Sequence, residues 1–306
     1  MKSISTFNEL LDQYKLEKSL SKATIFSYTG IIRCFITDTG IQHLNEVTLE
    51  PLLNWRLSVI NRSSDITWNT YLRHMRALWK FAIYRKYVPD DNFFKELNWG
   101  KYKISSKQKV LSSTQLNTIT DYFTDHSCAF DPCWFWRIVI RFIYFTGIRR
   151  KQLITLKWKD LDLEKRIIYL SAIGDKIDIG RKLPLQENLI PDLRMYTLYM
   201  KSHHAKSYSP DTQLFNINIL NDRYKRNKMT VGQLSGLFRR LSKKVDFNIS
   251  PHMLRHTMAT EVAKTGQIKP LQLILGHTDI RTTMNFYVHP DMEQLQSLLN
   301  NSLSNI

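Results

Sequence analysis

The chain has 306 residues, 43% of them hydrophobic, with 44 Lys and Arg against 27 Asp and Glu, a formal net charge of +17 and a pI near 9.7. That length favours two domains over one core, and with no run of about 18 apolar residues no membrane span is read. So large a basic excess points to a polyanion, nucleic acid first, with anionic lipid or solubility alone as the alternatives.

The start, MKSISTFNELLDQYKLEK, is polar and helix-like, which argues against a secretory signal. Thr6 or Ser5 is placed to cap a first helix over 7–17. Ser21 is placed to cap a second, in which Ile25, Tyr28, Ile32 and Phe35 recur at helical spacing. A third helix follows Thr48, with Pro51 tolerated in its first turn. The fourth spans about 65–87, and its stripe of Trp68, Tyr71, Leu72, Met75, Leu78, Trp79 and Ala82 reads as core rather than as a cofactor box.

After Pro89 an irregular stretch leads into NWGKYKISSKQKV, which is basic and lacks an apolar period. This is the expected linker, and Lys101, Lys103, Lys107 and Lys109 either follow a phosphate backbone or stay solvated. A second domain opens at Leu111, where Ser112 or Ser113 caps a helix beginning TQLNTITDYF. Residues 134–145 form a strongly apolar helix that ends at Gly147, and 166–171 and 181–185 read as short strands bracketing a turn around Gly174. Cys34, Cys128 and Cys133 are odd in number and lack a framework spacing, so a reducing compartment without structural disulfides is expected. His126 beside the last two makes no paired metal-ligand spacing, and core thiols are the reading there.

Four segments hold the residues that suit chemistry: TGIRRKQL at 146–153, IGDKIDIGRKLPL at 173–185, PHMLRHT at 251–257 and LGHTDIRTTMNFYVHP at 275–290. No Gly-rich phosphate loop and no acidic cluster suited to magnesium accompanies them. A cationic set with one phenol suits phosphoryl transfer without a metal, because guanidinium groups can neutralise the non-bridging oxygens.

These segments resemble the motifs of the tyrosine recombinase (lambda integrase) family: an arginine after Thr-Gly, a lysine in a β-turn, a His-x-x-Arg, a Leu-Gly-His and a nucleophilic tyrosine. Carried over, Arg149 is the first arginine, with Arg150 beside it facing DNA or solvent. Lys176, eight positions before Pro184, is the turn lysine, and Lys182 is its competitor. His252 and Arg255 form the His-x-x-Arg on one helical face, with His256 directed away from them. His277 comes from Leu-Gly-His, and Tyr287 follows ten residues later; neighbouring Phe286 has no hydroxyl. Gln152 departs from the pattern, standing where many members carry an acid.

The resemblance implies a mainly α fold: a helical core-binding domain (1–97), a basic linker (98–110), an α-rich catalytic domain with a small antiparallel β-sheet (111–290), and a tail (291–306) that contacts a neighbouring subunit. It implies a C-shaped clamp on double-stranded DNA at a specific site, a homo-tetramer on two sites, an accessory DNA-bending protein, no cofactor and no metal. A cytoplasmic, nucleoid-associated location goes with it, and the lack of an arm-binding domain before residue 5 suggests a simple Xer-like or small integrase architecture. In that clamp the second and fourth helices approach the major groove, making Lys22, Thr24, Ser27, Asn69, Arg73 and Arg76 candidate DNA contacts. Lys107, Lys109, Arg239, Arg240, Lys243 and Lys244 are further phosphate contacts, a solvated helix face being the other reading of the last four. A type IB topoisomerase and a DNA-binding relative that has lost catalysis are the rival readings.

Overall fold

Thr6 opens the first helix by satisfying N–H groups that have no partner inside it. Its Oγ1 accepts from Glu9 N at 3.3 Å, while the Glu9 carboxylate accepts from Thr6 N at 3.0 Å, a reciprocal capping box. The N–H groups of Ser5 and then Thr6 hold the Glu9 carboxyl down to a pKa of about 2. The computed structural model describes residues 4–101, 110–125, 128–171, 180–276 and 279–287, with the backbone alone at 282 and 285–287. The chain divides into two compact units, 1–105 and 106–306.

The first unit contains α1 (Phe7–Glu17), α2 (Lys22–Thr39), α3 (Leu49–Arg62), α4 (Asp65–Tyr84) and the short α5 (Phe93–Glu96). Ser21 and Ser64 cap α2 and α4 through the N–H groups of Thr24 and Thr67, and α2 ends where Gly40 turns left-handed at φ 75°. The apolar stripe of α4 is buried as expected, with Trp68 against Trp55 at 5.1 Å and Trp55 against Phe35 at 5.0 Å, both edge to face. α4 stops at Tyr84, short of the expected 87, because Arg85 leaves helical angles and Lys86 adopts φ 58°.

Two residues expected at a DNA groove have internal partners. Arg76 donates from Nε to Phe94 O at 2.8 Å and from Nη2 to Lys95 O at 3.0 Å and Leu97 O at 2.6 Å, and its guanidinium lies 4.5 Å over the Trp99 ring. Those carbonyls end α5 and have no partner inside so short a helix, so a cation is drawn to them. Asn69 pairs with the backbone of Gly100, accepting from its N at 2.7 Å and donating to its O at 3.3 Å.

The second unit begins with α6 (Ser113–Thr124), which Ser112 caps through Gln115 N, and with α7 (Cys133–Thr146). α7 is apolar on nearly every side and correspondingly buried, with Phe135, Ile138, Val139, Phe142 and Ile143 fully enclosed. Arg137 and Arg141 on its more polar edge reach Asp192 at 3.2 and 2.7 Å. A three-stranded antiparallel sheet, β1 (Leu161–Asp162), β2 (Ile167–Leu170) and β3 (Arg181–Pro184), follows α8 (Arg150–Thr155). Leu161 pairs Ile168, and Ile168 pairs Leu183, which puts Ile168, Leu170 and Leu183 on the buried face. β1 was not foreseen, since two residues carry no readable period. The turn between β2 and β3 lies outside the described residues.

The unit is completed by α9 (Ile190–His203), α10 (Ile217–Leu220), α11 (Val231–Lys244), α12 (Pro251–Ala263), α13 (Ile268–Leu275) and α14 (Ile280–Tyr287). The expectation of no disulfides fails here: Cys128 and Cys133 are bonded, their Cα atoms 6.2 Å apart across the loop that enters α7, and Cys34 is the free thiol. Proximity across a tight loop, which sequence spacing does not reveal, brings the pair within bridging range. Among the described residues no helix is long and apolar enough to cross a membrane.

Replacing Arg76 with Ala leaves the α5 carbonyls unpaired and should destabilise the chain by about 2 kcal/mol in urea denaturation. A loss below about 0.5 kcal/mol, the ordinary effect of a surface substitution, would contradict this bracing role.

Candidate active site

α7 and α13 end in the same way, at glycines with left-handed backbone: Gly147 at φ 58° and Gly276 at φ 60°. A side chain at either place would be strained, and it would also collide, with the Met258 methyl at 147 and with the Arg181 guanidinium at 276. Such endings leave C-terminal carbonyls available for outside donors. Arg255, on α12 and only 2% exposed, takes one from each helix: Nη1 donates to Gly147 O, and Nη2 to Leu275 O at 2.7 Å. Arg149 donates from Nη2 to Gly276 O at 3.3 Å, and Arg181 from Nη2 to Leu275 O at 3.4 Å. Three guanidiniums from distant parts of the sequence thus meet at the end of α13.

Arg149 caps α8, and its N–H donates to Gln152 Oε1 at 3.2 Å. Gln152 is buried, so the amide at the position where an acid was expected acts on the arginine's own backbone. His252 stands in the first turn of α12, which Ser250 caps through Met253 N at 3.2 Å. It is exposed where Arg255 is buried. His256, expected to be directed away from it, is not. Its ring meets that of His252 edge to face at 4.2 Å, because positions four apart share a helix face. Loss of water around the ring, then the charges of Arg255, Arg150 and Arg149, push the His252 pKa below its usual 6.5. The neutral imidazole is therefore favoured.

Arg150 is exposed and donates to Ser235 Oγ at 3.0 Å. With Arg239 and Lys243 of α11 it lines an open cleft of about 620 Å³ that also includes Ser242 and Asp246. Arg240 faces elsewhere, over the Phe130 ring at 5.4 Å and bonded to Tyr224 Oη at 3.3 Å. In the first unit Lys22, Ser27 and Arg73 are exposed, while Thr24 is half-buried, with its Oγ1 2.8 Å from Ser21 Oγ. Tyr287 is the last residue of α14. Lys107, Lys109, Lys176, His277 and the tail 291–306 lie outside the described residues. Arg181 was missed by the sequence reading. Its one signal was a basic residue opening a strand in RKLPL. Among the described residues no three His, Cys, Asp or Glu side chains gather to hold a metal ion.

Residues 109–294, more than half of the chain, match the model of the phage integrase family, and the chain belongs to that family. It is 27% identical, over 96% of its length, to a Pseudomonas syringae protein named as a tyrosine recombinase XerC, of which it spans 64%. It is 24% identical to the tyrosine recombinase XerD of Haemophilus influenzae, with 97% of each covered. Among solved structures it resembles the Tn1549 transposon integrase in complex with transposon right end DNA, at a TM-score of 0.77, 24% identity and coverage of 97% and 99%. It also resembles a lambda integrase dimer bound to a core site, at 0.72, 17% identity and coverage of 94% and 80%. At these identities the likeness to the solved structures is one of fold, mainly α with a small antiparallel sheet.

Gly147→Ala should lower stability by about 1–2 kcal/mol from left-handed strain alone, and further by crowding Met258. Thermal unfolding of the two proteins checks this, and an unchanged midpoint would mean that the α7 ending is not constrained as described.

Proposed function

We propose that the chain is a site-specific DNA recombinase that cuts and rejoins strands through Tyr287. The observation that carries this reading is the meeting of Arg149 and Arg255 on the carbonyls of two helix ends, beside a histidine kept neutral. Guanidiniums anchored on one side by carbonyls are held ready for an anion on the other, and a scissile phosphate is such an anion.

Tyr287 Oη attacks the phosphorus, forming a 3′-phosphotyrosine ester and releasing a 5′-hydroxyl. A free phenol has a pKa near 10, so its proton needs an acceptor, and the neutral His252 is that base. Arg149 and Arg255, with His277 by its motif, stabilise the charge on the phosphate oxygens, and Lys176 protonates the departing 5′-oxygen. The phosphotyrosine ester retains the bond energy, so a 5′-hydroxyl from a second strand reverses the step without a nucleotide cofactor.

On this reading residues 1–97 are a core-binding domain, 98–110 a linker, 111–290 the catalytic domain and 291–306 a subunit contact in a tetramer on two DNA sites. Lys22, Ser27 and Arg73 lie on exposed surface of α2 and α4, and Arg239 and Lys243 line the cationic cleft beside α12, which supports phosphate contacts there. The DNA-bound Tn1549 and lambda integrases favour the same partner for this chain.

A nicked duplex, its site selected by the wild-type chain from a randomised pool, tests the chemistry. Wild type should trap a covalent adduct and Tyr287→Phe none; wild type that binds without forming an adduct would refute the enzyme reading. Loss of the Arg255 guanidinium should slow adduct formation by about 10²–10³. The base role also fixes a pH dependence. His252 acts unprotonated and its pKa is lowered from the usual 6.5, so the cleavage rate should hold above that lowered pKa and fall as pH drops through it. A rate that rises on acidification would exclude His252 as the base.

A further inference from the structure

Arg181 opens β3, yet its guanidinium lies at the end of α13, 94 residues further along the chain. It covers Gly276 so closely that a Cβ built there would sit 2.6 Å from Arg181 Cζ. Gly276 is thus required twice, by its left-handed backbone and by this contact. The neighbouring Leu275 carbonyl accepts from both Arg181 and Arg255, and Gly276 O accepts from Arg149. Carbonyls at a helix C-terminus carry partial negative charge, and this offsets the mutual repulsion of the three cations. The peptide on which Arg149 and Arg255 are anchored is thus also held by Arg181, which donates to Leu275 O and covers Gly276.

We propose that Arg181 is a positioning residue for strand cleavage, clamping the Leu275–Gly276 peptide so that Arg149 and Arg255 are presented to the scissile phosphate. The inference rests on the recombinase reading above. Displacement of that peptide would shift both guanidiniums together, and misplacement by about 1 Å can cost roughly a hundredfold in rate.

The test uses the full chain in single-turnover cleavage of the selected nicked duplex, with either a phosphate or an uncharged methylphosphonate at the scissile position. Arg181→Ala should slow adduct formation on phosphate by about tenfold to a hundredfold. Its DNA affinity should stay within about twofold, the scatter of independent sites. The loss should shrink on methylphosphonate, where less charge needs stabilising, and Arg181→Lys should recover part of the rate. Gly276→Ala should slow wild type more than it slows the Arg181→Ala chain, since the colliding guanidinium is then gone. Additive effects, an equal loss on both substrates, or equal losses of binding and cleavage would each overturn the proposal. So would an Arg181→Ala chain that cleaves at the wild-type rate. If wild type itself forms no adduct, the recombinase reading falls first, and this inference falls with it.

Discussion

The second unit depends on one buried cation. Arg255 is withdrawn from water almost completely, and a guanidinium so placed is tolerable only if its donors find acceptors. It finds them in the backbone, at the ends of α7 and α13. Both helices must therefore stop where they do and turn left-handed, which is why glycine occupies 147 and 276. The same bonds fix where α12 lies against α7 and α13. Packing and site geometry are in this respect one constraint.

That constraint explains the division of labour along α12. Arg255 faces inward to the carbonyls, while His252, one turn earlier, remains at the surface with His256 against it. Loss of water around the ring, and after it the charges of Arg255, Arg150 and Arg149, make protonation of His252 unfavourable. The arginines that brace the helix ends thereby add to the bias of a neighbour toward its neutral form. Gln152 contributes to the same framework by holding the Arg149 backbone, for which an amide oxygen suffices and a carboxylate charge is not needed.

The first unit shows the complementary case, in which a basic residue that reads as a nucleic-acid contact also has partners inside the fold. Arg76 and Asn69 hold the segment 94–100 against α4, and the aromatic core beneath is organised around Trp55 and Trp68. A short helix such as α5 has no intrahelical acceptor economy of its own, and its carbonyls attract the nearest donors. Net charge marks a surface as basic; it does not say which cations are already engaged.

By itself the sequence determined the local features: the caps at Thr6, Ser21 and Ser112, the stripes of α2 and α4, the strongly apolar α7 and the ordered motifs that define the family. Each depends on residues within a few positions of one another, where periodicity and capping chemistry operate. The tertiary structure alone decided what depends on chain segments far apart. It placed Arg181 on Gly276 and engaged Arg76 with the carbonyls of Phe94, Lys95 and Leu97, and nearer in sequence it joined Cys128 to Cys133. The physical reason is that a cation or a thiol has no preference legible from its neighbours in sequence. Its partner is whichever acceptor, ring or sulfur the fold brings within reach.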